Sequence, residues 1–146
     1  MKKYGIILAV VMCAFAPFSF ADDGDVRQLV KMPDMMRQHM LGNIRDHLQA
    51  INEIQAMLGA GEFDKAAEVA EKRLGMSSLA SHNAAHMAPY MPKQMQEIGT
   101  QMHKSASQFA LAAQESSVSS DARQAIGALS KITQQCVACH AAFRIH

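Results

Sequence analysis

From Asp34 onward, apolar side chains return every three or four residues. Met36, Met40, Leu41, Ile44, Leu48, Ile51, Ile54 and Leu58 trace one helical stripe, which Gly59 and Gly61 stop. Pro33 fits a first helical turn and Asp34 its positive end, so a long first helix is predicted here. A second stripe runs through Phe63, Ala66, Ala67, Ala70 and Leu74. Glu62 and Asp64 stand near its start, Lys72 and Arg73 near its end, and Gly75 supplies a stop. Residues 76–91 are the least regular part, broken by Ser77, Ser78, Asn83 and Pro89, with room for one short helix over residues 79–87. Pro92 opens a third stripe of Met91, Met95, Ile98, Met102, Ala106, Phe109 and Ala113, which the polar run 116–120 ends. Ser120 is expected to cap a fourth helix with Asp121 in its first turn. Ala122, Ile126, Leu129, Ile132, Cys136, Cys139 and Phe143 line one face of that helix. Residues 22–32, acidic and then mixed, read as a loosely held lead-in.

Four amphipathic helices joined by short loops predict an all-α fold, an antiparallel four-helix bundle with its core between facing helices. Composition agrees: alanine, glutamine and methionine are plentiful, tryptophan is absent, and no alternating β-branched run suggests a strand. Ahead of the helices, two lysines, an apolar run over residues 6–20 and the small-residue site ending at Ala21 have the three regions of a secretory signal peptide. The run is short, is interrupted by Pro17 and is followed by Asp22, Asp23 and Asp25, which argues for cleavage over a stable membrane anchor. Residues 1–21 are therefore expected to leave, and residues 22–146 to form one domain in the periplasm. Removing Lys2 and Lys3 turns the formal charge from +1 to −1, so no basic footprint for nucleic acid exists.

The charge of chemistry lies at the other end, in Cys136-Val137-Ala138-Cys139-His140. A Cys-X-X-Cys-His run is the pattern of covalent c-type haem attachment, with two thioethers to the porphyrin and the imidazole as proximal iron ligand. Helical spacing puts the two sulfurs and the ring on one side, where they can grip one flat group. A redox Cys-X-X-Cys belongs on a strand-to-helix turn, and structural zinc needs a second ligand pair. Cys13 lies inside the leader, so the mature chain holds only these two cysteines. One covalent haem c is expected, with the bundle as its container. No nucleophile, acid–base pair or phosphate loop suggests an enzyme.

The run from Cys136 through Phe143 and Arg144, placed at the extreme C-terminus, resembles the cytochrome c prime family, in which an aromatic residue three after the haem histidine and a basic residue four after it are typical. The resemblance implies a periplasmic haem protein folded as a four-helix bundle, often a homodimer through its first two helices. It implies haem surroundings that include Phe143 and Arg144, and a basic residue on helix one that reaches a propionate, here Arg37. It also implies that helix one supplies the residue over the distal haem face, an apolar side chain in five-coordinate members and Met in low-spin relatives.

Met40 is expected as the sixth ligand, with Met36, or a vacant site under Leu41, as alternatives. His39 and His47 stand two turns apart on the same helix, and either could make a bis-imidazole site. His82 and His86, followed by Met87, Met91 and Met95, have the donors that suit Cu(I). The leading functional expectation is a single-electron carrier serving redox partner proteins. Its rivals are a five-coordinate NO- or CO-binding protein and a copper-binding stress protein.

Overall fold

The computed structural model describes residues 24–145, and the expected leader, residues 1–21, lies outside them. Helices dominate: α1 spans Asp34–Gly59, α2 Phe63–Arg73, α3 Ala84–Met87, α4 Lys93–Ser119 and α5 Arg123–Ala142. Two 3-10 segments, Met76–Leu79 and Ala88–Tyr90, flank the short α3. Among the described residues no helix is long and apolar enough to cross a membrane.

The α1–α2 connection is three residues long and turns at Gly61, whose φ of 74° favours glycine. The other junction differs from the expected polar loop. α4 continues helically through Ser116 to Ser119, and Ser120 closes it in the left-handed region at φ 56°. Ser120 thus ends α4 and does not cap α5. Asp121 takes the local polar role, its carboxylate accepting from the Arg123 backbone N–H at 3.0 Å.

Helix packing runs in sequence, α1 on α2, α2 on α4 and α4 on α5. Ile54, Leu74, Phe109 and Ile132 are fully enclosed where these helices meet. Buried alanines, Ala66 and Ala70 on α2, Ala106 and Ala113 on α4, and Ala125 on α5, keep the side chains between the helices small. On α5 the buried stripe passes through Ala125 and leaves Ile126 56% exposed, one position off the expected face. Arg73 ties α2 to α1, donating from Nη2 to Asp46 Oδ1 at 2.6 Å and from Nη1 to Glu53 Oε2 at 2.7 Å.

The lead-in is more ordered than its composition suggests. Gln28–Val30 forms a strand, β1, that pairs in parallel with β2, Phe143–Ile145, in the register Gln28↔Phe143 and Val30↔Ile145. Val30 and Phe143 are buried with Met95 in a second, smaller core. The residue expected to extend the fourth helix, Phe143, instead turns extended and anchors the chain's two ends together.

Candidate cofactor and metal site

The apolar stripe of α1 does two different jobs along its length. Its C-terminal half, through Ile51, Ile54 and Leu58, is buried against α2 and α4. Its N-terminal half, Met40 and Ile44, is only half-buried, and Leu48 is 70% exposed. Among the described residues the extensive helix contact of α1 is with α2. A cleft of about 250 Å³ lies there, walled by α1, the 76–91 segment, α4 and α5.

Cys136, Cys139 and His140 all line this cleft from α5, as their spacing requires. Met40, Ile44 and His47 line it from α1, and Met91, Met95 and Met102 from the segment before α4 and α4 itself. Met40 and Cys139 also pack against the same small core of Val30, Met95 and Phe143. Leu41, Met36 and Arg37 do not reach the cleft wall. Arg37 instead holds Asp34 at 2.9 Å, and its Nε is buried without a partner. Arg144 makes an ion pair with Asp25 at 3.5 Å, next to the β1–β2 pairing. His140 is exposed in the last turn of α5, and its carbonyl oxygen accepts from Arg27 Nη1 at 3.5 Å.

Both cysteines are free and half-buried. Burial pushes both thiols above the ordinary cysteine range, and for Cys139 the neighbouring Cys136 adds to the effect. This is the opposite of a thiolate activated for redox exchange, which needs a lowered pKa. Two sulfurs for attachment, an imidazole donor, nearby thioethers and an apolar, solvent-connected cleft are the groups and surroundings a covalent haem takes. The chain's own residues therefore fit the group that the motif implies.

A second cluster of side chains shares the cleft, and only part of it was expected. His47 and His82 line it together with His103 of α4, whereas His86 is exposed and stands outside. His39 turns its Nε2 to the His82 carbonyl at 3.0 Å, joined by Asn43 Nδ2 at 3.1 Å, and so fixes the irregular segment to α1. The ring centroids of His47 and His82 are 4.7 Å apart, those of His82 and His103 5.4 Å, and those of His47 and His103 5.9 Å. Burial lowers the pKa of all three rings, taking His47 to about 4 with help from its two neighbours. Among the described residues no three His, Cys, Asp or Glu side chains already close around a metal position.

His103 was not singled out from the sequence. Its signal was a polar residue beside Met102 and one turn before the core, on a stripe otherwise apolar. No family model, no curated protein and no solved structure matches this chain.

Proposed function

We propose that this protein is an exported c-type cytochrome that carries single electrons. The observation that carries the reading is the convergence of Cys136, Cys139 and His140 from α5 and Met40 from α1 on one cleft. Cys136 and Cys139 would hold the porphyrin as thioethers, and His140 would be the proximal iron ligand. A haem bound in this way supplies reversible one-electron chemistry at its iron.

The protein's own contribution is positional. Half-buried Ile44 and exposed Leu48 offer apolar surface on α1, and a flat group between α1 and α5 would complete an antiparallel four-helix bundle. Met40 packs against Met95 and Phe143 and lines the cleft, which supports it as the sixth ligand ahead of Leu41 and Met36. A thioether on that side raises the potential, as Met/His ligation does. The packed β1–β2 pairing fixes the backbone just beyond His140, which limits rearrangement between redox states.

The test is the visible spectrum of the haem-loaded protein in both redox states, with and without CO. A low-spin spectrum with the thioether-to-iron charge-transfer band, abolished in Met40→Ala, is expected. A five-coordinate, high-spin iron that takes up CO in the wild-type protein would replace the carrier with a gas-binding protein. A band unchanged by Met40→Ala would remove Met40 as ligand.

A further inference from the structure

His47, His82 and His103 come from α1, from the irregular segment and from α4, and the haem reading uses none of them. Their ring centroids lie 4.7, 5.4 and 5.9 Å apart. A metal bound tetrahedrally by ring nitrogens at about 2.0–2.1 Å sets its imidazole centroids on the order of 5 Å apart. We propose that these three histidines bind one copper ion, as Cu(I), in the wall of the cleft.

The hydrogen bonds around the rings leave the correct atoms free. His103 Nδ1 lies 2.7 Å from the Leu74 carbonyl oxygen, which can only accept, so Nδ1 carries the proton and Nε2 keeps its lone pair. Ser78 Oγ donates to the Gly75 carbonyl at 2.7 Å and accepts from His82 Nδ1 at 3.3 Å, which leaves His82 Nε2 free in the same way. Donation from the remote ring nitrogen to a carbonyl or hydroxyl is how ligating histidines are oriented. His47 Nε2 is buried with no partner at all, an orphan that a bound ion would satisfy.

The rings do not yet converge on one point. His χ2 is a broad torsion, so the His47 ring, whose Nε2 has no partner, can turn toward His82 and His103, which their own hydrogen bonds hold. Imidazole suits zinc, copper, iron and nickel, and thioethers select Cu(I). Met87 and Met102 line the same cleft, and among the described residues no carboxylate does, so copper is the ion that both donor types accept.

The haem-loaded protein, with Cys136 and Cys139 tied up as thioethers, or alkylated where haem is absent, is titrated with Cu(I) against a chromophoric chelator under anaerobic conditions. One equivalent should bind. His47→Gln and His103→Gln should each weaken it by at least roughly a hundredfold, more than loss of an outer-shell partner does. His86→Gln should leave affinity unchanged. Circular dichroism checks that the variants fold, and copper X-ray absorption of the wild-type protein should give an imidazole-dominated shell without any variant. The proposal is overturned by no tight copper binding, by loss on His86→Gln alone, by a sulfur-dominated shell, or by tighter binding of Zn(II) than of Cu(I). A bis-imidazole haem spectrum lost in His47→Gln would also overturn it, by giving that ring to iron. Haem content is counted separately, so a haem-free protein that still takes copper through the three rings retires only the haem reading.

Discussion

Acidification between pH 6.5 and 4 should cost this protein stability through His47. The ring is buried beside His82 and His103, and burial first, then its two neighbours, depress its pKa from 6.5 to about 4. In the unfolded chain it takes a proton near its ordinary value, so between those pH values the unfolded state binds more protons and acid favours unfolding. Well above pH 6.5 both states are neutral and His47 contributes nothing to the slope. At about 1.4 kcal/mol per pKa unit, the loss is about 1 kcal/mol at pH 6, about 2 kcal/mol at pH 5, and on the order of 3 kcal/mol once the pH falls below 4. Urea unfolding of metal-free wild-type and His47→Gln proteins, run at intervals from pH 7.5 to 4, isolates this part, because the carboxylates titrate in both. The wild-type curve should fall relative to the variant across that window. Parallel curves would refute the reasoning, since they would mean that the ring is protonated as easily in the folded protein as outside it.

Arg73→Ala should destabilise by about 1–2 kcal/mol, because a half-buried guanidinium that holds both Asp46 and Glu53 leaves two carboxylates unpartnered, and the loss in urea melts should shrink at high salt. Phe143→Ala should cost about 3–5 kcal/mol, since the ring is 5% exposed between Val30 and Met95. It should also speed amide exchange in Gln28–Val30, and unchanged exchange there would show that β1 holds without Phe143.

The long helices were legible because their stripes and their stops are local. Gly59, Gly61 and Gly75 lie at or just past the ends of α1 and α2, as the sequence pattern anticipates. The β1–β2 pairing was not legible, because it joins two three-residue strands more than a hundred residues apart with no alternation in either. Ile126 was misplaced because the first turn of α5 buries Ala125, and only the partner helix decides between two adjacent positions on a broad stripe. Leu48 fits the core period yet is exposed, and that mismatch marks the cleft better than any motif does. Of the site, the α5 residues could be read from spacing alone. The imidazole cluster could not, since His47, His82 and His103 meet only once three distant segments have folded together.

The central claim is a covalent haem on α5, and the most direct measurement is the intact mass and haem absorbance of the purified protein after denaturation. The wild-type polypeptide should carry the mass of one haem that denaturation cannot extract, and the double variant Cys136→Ala/Cys139→Ala should carry none. A wild-type chain whose mass equals that of the bare polypeptide, or whose haem washes out on unfolding, would contradict it.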